Sequence, residues 1–361
     1  MPPPPFLEMF LRRTLSVLAS LSLALGGCTN AAAPQPNKLE KITVAYMPIP
    51  DNAALFIARE RGFFAQEGLE IEPKEIRGLA EAVPKLLSGA WQFSLANYVT
   101  FFQVEEKQPG KLRLVADAYQ AKKNTFSLMV KKDSPLKSLK DLKWSGSGPK
   151  KRIGVATPQS VATLTTEITL ATEKDLNKDD IEFVFIKLPD MPQAVERGSK
   201  HGGVDVGWEV EPYITDSASQ YSARQLADAA SGPTDQFPIA GWAVSTTWVS
   251  ADPGQVRQRA DVVARFQRAL SRGQQIAATD RSAVTAILPT YAHIEPAKAS
   301  VIALGSFPTT LEGRRLQRVA DAMLQFGYLT SGKPINAENV IWRSPLASSS
   351  PSVSSSTGAT P

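Results

Sequence analysis

Short apolar runs and amphipathic stretches alternate along the middle of the chain. Residues 42–47 form a continuous apolar run, which is typical of a strand buried on both faces of a parallel sheet. From Ala53 onwards, apolar residues recur three and four positions apart, which is the period of a helix. The alternation of a short apolar run with a helical stretch continues as far as residues 112–118, so this part is predicted to form an α/β domain with a largely parallel sheet.

A second set of strands and helices begins after a predicted strand at Phe126–Val130. Its strands are predicted at residues 153–156, 181–187 and 204–208, and a late strand at 242–248 precedes a mostly helical stretch. Two α/β sets with a late strand and a helical tail indicate two lobes. We expect the chain to cross between them twice, near residues 126–131 and 240–244.

The first 27 residues have the organisation of a signal peptide. Arg12 and Arg13 precede a mostly apolar stretch at 14–25, which is too short for the roughly 20 residues that span a bilayer. The next residues, Leu25-Gly26-Gly27-Cys28, resemble the lipobox of bacterial lipoproteins, in which the cysteine carries a diacylglycerol. Cys28 is the only cysteine, and its alternative role is that of a small buried residue. We expect residues 1–27 to be removed and Cys28 to anchor the protein to the membrane outside the cytoplasm.

The two ends of the remaining chain are predicted to be unstructured. Residues 28–38 are small and polar and form a tether, and residues 344–361 form a disordered tail rich in Ser, Thr and Pro. Without residues 1–27, which contain two arginines and one glutamate, the formal net charge falls from +5 to +4. Because the basic residues form no long run, nucleic acid is not an expected partner.

Four segments resemble the solute-binding proteins of ABC importers for sulfonate, nitrate and taurine, whose ancestry the binding proteins for pyrimidine thiamine precursors share. These segments are KITVAYMPIPDNAALFIARERGFFAQEGLEIE, VPKLLSGAWQFSLANYVT, SLKDLK with KRIGVA, and VDVGWEVEPYIT. The resemblance spans about residues 40–330. It implies a type II periplasmic-binding fold, in which two Rossmann-like lobes are joined by two hinge crossings and followed by a helical C-terminal region.

The resemblance also implies the lobe boundaries and the partners. Lobe 1 would comprise residues 39–126 and 243–343, and lobe 2 residues 127–242. A small-molecule ligand would bind in the cleft between them, and an ABC permease with its ATPase would receive it. We expect the protein to act as a monomer.

Ligand contacts are expected in the loops that follow the strands, because ligands of open α/β sheets bind beyond the carboxyl ends of the strands. Several of these residues have structural alternatives, since Asp, Asn and Ser also cap helices, a glutamate in a first helical turn is favoured by the helix dipole, and tryptophans can simply pack. The candidates are Asp51, Asn52, Asn97, Tyr98, Thr100, Thr157, Gln159, Ser160, Trp208, Glu209, Glu211 and Trp242.

The charges of these candidates and the resemblance favour different ligands. The candidates include Asp51, Glu209 and Glu211 but no Arg, Lys or His, and carboxylates repel a buried anion. The resemblance favours a sulfonate-like anion. The charges favour a neutral or cationic organic molecule, such as a heterocyclic pyrimidine precursor of thiamine.

Two other function classes remain open at this point. A pyrimidine synthase shares the fold, but its chemistry needs a histidine and a cysteine-rich motif, whereas this chain has only His201, His293 and Cys28. We therefore expect no enzymatic activity, no cofactor and no metal. A surface-anchored sensor module would have the same lobes and the same lipid, and the genes beside this one would distinguish it from a transport protein.

Overall fold

The computed structural model describes residues 39–344. The predicted signal peptide, Cys28 with its expected lipid, the predicted tether and nearly all of the predicted tail lie outside these residues. The strands are β1 Glu40–Tyr46, β2 Leu69–Glu75, β3 Phe93–Asn97, β4 Leu112–Gln120, β5 Phe126–Val130, β6 Lys151–Val155, β7 Ile181–Phe185, β8 Val206–Val210, β9 Arg224–Asp228 and β10 Pro238–Ser245.

Twelve α-helices are present in the same described part of the chain. They are α1 Ala53–Glu60, α2 Phe63–Gln66, α3 Leu79–Leu87, α4 Tyr98–Lys107, α5 Val161–Leu170, α6 Met191–Arg197, α7 Tyr213–Tyr221, α8 Thr246–Ser250, α9 Val256–Thr279, α10 Arg281–Tyr291, α11 Pro296–Val301 and α12 Gly313–Gln325. None of the helices within residues 39–344 is both long and apolar enough to cross a membrane.

The strands form two five-stranded sheets with the same plan. The strand order is β2-β1-β3-β10-β4 in the first sheet and β7-β6-β8-β5-β9 in the second. In each of these orders the first three strands are parallel to one another. The fourth strand is β10 in the first sheet and β5 in the second, and it is antiparallel to both of its neighbours. Each of these two strands follows a chain segment that comes from the other sheet. The predicted α/β fold class with two lobes is confirmed.

The two segments that cross between the sheets are hydrogen-bonded to each other. The backbone N–H of Ala121, after β4, donates to the carbonyl of Phe237, before β10, over 2.9 Å. Beside it, Gln120 Nε2 donates to the carbonyl of Gln236 over 2.6 Å. This pair of crossings is the hinge between the lobes.

The second crossing lies earlier in the chain than the sequence analysis places it. Strand β10 begins at Pro238 rather than at Trp242, so residues 238–242 pair in the sheet of lobe 1 although they were assigned to lobe 2. Proline is tolerated as the first residue of a strand, because the N–H that it lacks is not needed there. Residues 246–248 belong to α8 rather than to the strand, and Ser245 caps this helix by accepting a hydrogen bond from Trp248 N.

Two further strand assignments differ from the sequence analysis. The edge strand β9 was missed, because its sequence RQLAD is half exposed and lacks an apolar alternation. Strand β8 begins and ends two residues later than predicted, so that Glu209 lies within the strand and not after it. This shift decides which way Glu209 points.

A close contact between two helices supports the core of lobe 1. Helix α9 packs on α1 at Gly273, where an added Cβ would come within 2.2 Å of the carbonyl oxygen of Ala54. Because this oxygen belongs to a helix backbone, it cannot move aside as the end of a side chain would. The glycine therefore sets the distance between the two helices.

Replacing Gly273 by alanine is expected to destabilise the protein by about 2 kcal/mol or more, since overpacking of a core costs about 1–3 kcal/mol and outweighs the gain in helix propensity. Urea unfolding measures the change. Gly78→Ala is the matched control, because nothing lies within 4 Å of a Cβ at that position. Equal stabilities of the two variants would contradict the role assigned to Gly273.

Candidate functional site

A cavity of about 340 Å³ lies between the two lobes at the carboxyl ends of their parallel strands. This volume is near the lower end of the range of small-molecule sites, which is roughly 300–1,000 Å³. Most of the lining residues are apolar. Lobe 1 contributes Met47, Ile49, Pro50, Asp51, Arg77, Gly78, Leu79, Ala80, Leu95, Asn97, Thr100, Gln103, Tyr119, Ile239, Ala240 and Ala303, and the crossing and lobe 2 contribute Thr125, Phe126, Ala156, Thr157, Pro158, Gln159, Ser160, Val161, Ala162, Leu188, Trp208, Val210 and Glu211.

Three helices begin at the wall of this cavity. Gly78 and Leu79 start α3, Asn97 precedes α4, and Ser160 precedes α5. The Asn97 side chain caps α4, since its Oδ1 accepts from Val99 N over 3.0 Å. By contrast, no side-chain hydrogen bond caps α3, and because its first residues line the cavity, its free N–H groups and the positive end of its dipole lie at the cavity wall.

Eight of the twelve predicted contact residues line the cavity. They come from both lobes and from four separate segments, at the ends of β1, β3, β6 and β8, which the fold brings together because parallel strands end at the same edge of each sheet. The eight are Asp51, Asn97, Thr100, Thr157, Gln159, Ser160, Trp208 and Glu211.

Asn52 and Tyr98 do not line the cavity. Both are fully buried, and each is held by a hydrogen bond inside lobe 1. Asn52 Nδ2 donates to the carbonyl of Met47 over 2.6 Å and so closes the turn after β1. The Tyr98 hydroxyl donates to Asp117 over 2.7 Å, and Asp117 in turn pairs with Arg315 of α12. These two side chains support the lobe from within.

Glu209 and Trp242 also lie away from the cavity. Side chains alternate between the faces of a strand, so Trp208 and Val210 of β8 face the cavity and Glu209 faces the other side. There Glu209 Oε1 accepts a hydrogen bond from Ser217 of α7 over 2.8 Å. Trp242 is 1% exposed and packs edge-on against Phe266 of α9.

Several residues line the cavity that were not predicted from the sequence. Tyr119 and Phe126 flank the first crossing, and this position could have indicated a place in the cleft, because a hinge adjoins both lobes. Gln103 lies one turn further along α4 than Thr100. Ala303 comes from the helical tail, and no sequence signal marks it. Arg77 also lines the cavity, but at the rim, where its side chain is 90% exposed and pairs with Glu81.

Two carboxyl groups line the cavity, and burial raises the pKa of both. The pKa of Asp51 is raised to about 7, because its desolvation outweighs a hydrogen bond from its own backbone N–H. Burial also raises the pKa of Glu211, although Ala303 N and Thr215 N donate to its carboxylate over 2.9 and 3.1 Å. Glu211 thus has fixed partners from the protein.

Besides the hydrogen bonds that Arg318 donates to the carbonyls of Pro233 and Asp235, four contacts away from the crossings join the lobes within residues 39–344, and the Glu211–Ala303 hydrogen bond is one of them. Gln103 Nε2 donates to the carbonyl of Gln159 over 2.9 Å. The other two contacts are a hydrogen bond from the Tyr328 hydroxyl to Glu167 and an ion pair between Lys298 and Asp216. We call these four pairs the interlobe contacts, and they join the two lobes on the sides of the cavity.

Comparison with known proteins assigns the chain to a family. The model of a family described as "NMT1/THI5 like" matches residues 49–283, which include every strand except β1 and every cavity-lining residue except Met47 and Ala303. The chain belongs to the NMT1/THI5-like family. No curated protein sequence matches it.

Solved structures share the fold of this NMT1/THI5-like protein at low sequence identity. The ligand-binding component of an ABC-type import system from Staphylococcus aureus, with zinc bound, is 15% identical, and the match covers 86% of this chain and 99% of the other with a TM-score of 0.68. The alkanesulfonate-binding protein SsuA from Xanthomonas axonopodis pv. citri, bound to MOPS, is 18% identical, covering 86% and 100% with a TM-score of 0.62. The predicted periplasmic-binding fold is confirmed.

An enzyme has the same fold. The desulfurization enzyme DSZB is 20% identical, and the match covers 84% of this chain and 96% of the other with a TM-score of 0.58. The fold of the NMT1/THI5-like chain therefore does not by itself separate binding from catalysis. Within residues 39–344, no group of three or more His, Cys, Asp or Glu side chains is placed to hold a metal ion.

Proposed function

We propose that this protein is the extracytoplasmic solute-binding component of an ABC importer and captures a small organic molecule in the cavity between its lobes. The observation that carries the proposal is the cavity itself, which residues of both lobes line and beside which the interlobe contacts join the lobes. Its size suits a molecule of one ring or a short chain. The predominantly apolar wall with a few polar groups is typical of small-molecule sites.

Capture follows from the two-lobe geometry. A ligand that touches Asp51 and Asn97 in lobe 1 and Trp208 in lobe 2 makes all its contacts only when the cleft is shut. Its binding energy therefore shifts the population towards the closed form. The permease then has two conformations to distinguish, one loaded and one empty.

Filling the cavity tests the transport role. Thr100 lies in the first turn of α4 and lines the cavity, and Thr100→Trp is expected to abolish stimulation of ATP hydrolysis by the cognate permease complex in vesicles. Lys107→Trp, on the exposed end of the same helix, is the matched control and should stimulate normally. If Thr100→Trp stimulates as well as the unaltered protein, solute does not enter through this cavity.

The Leu25-Gly26-Gly27-Cys28 segment supports a lipid anchor at Cys28. Cys28→Ser is expected to release the protein from the membrane into the soluble fraction, because stable anchoring needs the two acyl chains of the diacylglycerol. Cell fractionation measures this release, with Thr29→Ser as the control. Retention of the Cys28→Ser protein on the membrane would contradict the anchor.

A further inference from the structure

Asp51 is a buried carboxyl group at the cavity wall, and no other side chain of the described residues pairs with it. It lies in the turn Pro50–Asn52 after β1, lines the cavity and is 8% exposed. Within residues 39–344, it forms no ion pair and no other side chain donates a hydrogen bond to it. Its one hydrogen bond comes from its own backbone N–H.

Two tyrosine hydroxyls of this region form hydrogen bonds to groups other than Asp51. The Tyr291 hydroxyl donates to the carbonyl of Ile49 over 3.2 Å, and the Tyr119 hydroxyl accepts from Gly305 N. Burial and then the charge of Asp51 raise the pKa of both tyrosines. Glu211, the other carboxyl at the wall, has partners, so Asp51 is the one left to interact with an occupant of the cavity.

An isolated buried carboxylate is costly, and the cost falls when an opposite charge comes within about 4–6 Å. The chain has a cation at the cavity, Arg77, but this side chain lies at the exposed rim and pairs with Glu81. A ligand with a positively charged nitrogen would supply the missing partner. A sulfonate or another anion would instead add a second negative charge at the same wall.

Two aromatic side chains form an apolar part of the wall of the same cavity. The rings of Phe126 and Trp208 are in contact, with centroids 4.9 Å apart. Trp208 is fixed by a hydrogen bond from its Nε1 to Thr165 Oγ1 over 3.0 Å. The two ring planes are 40° apart, so a planar ligand can pack face to face on one ring and contact the other obliquely, and aromatic faces also attract cations.

We propose that Asp51 binds a positively charged nitrogen, an ammonium or an amidinium, of a ligand whose planar apolar body lies against Phe126 and Trp208. The proposal rests on the proposed function and narrows it to a class of solute. In this proposal the carboxylate of Asp51 is the charge that recognises the ligand. Glu211 instead joins the two lobes by accepting the hydrogen bond from Ala303 N.

Three compounds of similar shape and different charge test the proposal. Benzamidinium, benzamide and benzenesulfonate are titrated by calorimetry at pH 8 into the protein, Asp51→Asn and the control Asp133→Asn, whose side chain is 77% exposed. We expect the protein and the control to bind benzamidinium at least ten times more tightly than benzamide and not to bind benzenesulfonate. In Asp51→Asn the preference for benzamidinium should disappear.

Other outcomes overturn the proposal. These are no binding of benzamidinium to the unaltered protein, the same preference in Asp51→Asn, or tighter binding of benzenesulfonate than of benzamidinium. If Asp51→Asn does not fold, the relative affinities of the unaltered protein for the three compounds still test the proposal. The Thr100→Trp experiment does not depend on ligand charge, so the solute-binding role can stand when the Asp51 proposal fails.

The pH dependence of benzamidinium binding separates Asp51 from its neighbours. Because the pKa of Asp51 is about 7, the carboxylate form predominates above that pH, and affinity should rise about tenfold from pH 6 to pH 8. Asp51→Asn should remove this rise. If the rise persists in Asp51→Asn, another group causes it and the proposal fails. The other charged or titratable groups around this part of the cavity are Tyr119, Tyr291, Arg281, Glu211 and Arg77.

Discussion

Replacing Glu209 by glutamine is expected to raise the free energy of unfolding at pH 8 by about 2–4 kcal/mol. Glu209 is fully buried, and its Oε2 has no hydrogen-bond partner within the described residues. Burial, the main cause, raises its pKa from 4.5 to about 8. Glutamine keeps an oxygen for the hydrogen bond from Ser217 and removes the charge.

The sign of this effect follows from proton binding. Between pH 4.5 and 8 the folded protein holds a proton on Glu209 that the unfolded chain releases, so the contribution of Glu209 to stability is present below pH 4.5 and is lost as the pH rises through 8. The gain from Glu209→Gln should therefore be small at pH 5 and largest at pH 8.

Urea unfolding of the protein and of Glu209→Gln at both pH values measures the gain. Glu182→Gln, at an exposed glutamate of β7 in the same lobe, is the control and should change little at either pH. A Glu209→Gln protein that is no more stable than the unaltered one at pH 8 would show that the carboxyl is hydrated. Because Glu209 faces away from the cavity, ligand affinity should not change.

Removing two interlobe contacts is expected to open the cleft. Glu211→Ala removes the acceptor for Ala303 N, and Lys298→Ala removes the ion pair with Asp216. Hydrogen bonds to charged groups contribute about 1.5–3 kcal/mol each, so the double variant should shift the ratio of open to closed molecules by more than tenfold. Removal of either contact alone should give a smaller shift.

Energy transfer between dyes on the two lobes measures this opening. Lys107→Cys in lobe 1 and Lys187→Cys in lobe 2 are exposed labelling sites, and Cys28→Ser removes the only other cysteine. The control replaces Lys41 and Asp133 by alanine, because each makes an exposed ion pair. If the double variant and the control give the same transfer efficiency, the interlobe contacts do not stabilise the closed form.

The α/β class, the two lobes and most of the loops that form the cavity can be predicted from the amino-acid sequence. Strands that are buried on both faces need mostly apolar sequences, and such sequences are visible at β1, β4 and β5. Polar residues at the carboxyl ends of strands indicate the cavity wall, and Asp51, Asn97 and Ser160 do lie there. These features are local, so the order of residue types along the chain is enough to find them.

Which side chains reach the cavity depends instead on contacts between distant segments. A shift of two residues in β8 puts Glu209 inside the strand, and the alternation of faces then turns it away while Trp208 faces the cavity. Tyr98, at the start of α4, is held away from the cavity by its hydrogen bond to Asp117, which lies 19 residues later on β4. Ala303 enters the wall from the helical tail. Local patterns of apolar and polar residues do not encode such contacts, because each of them arises only when the strands and helices pack together.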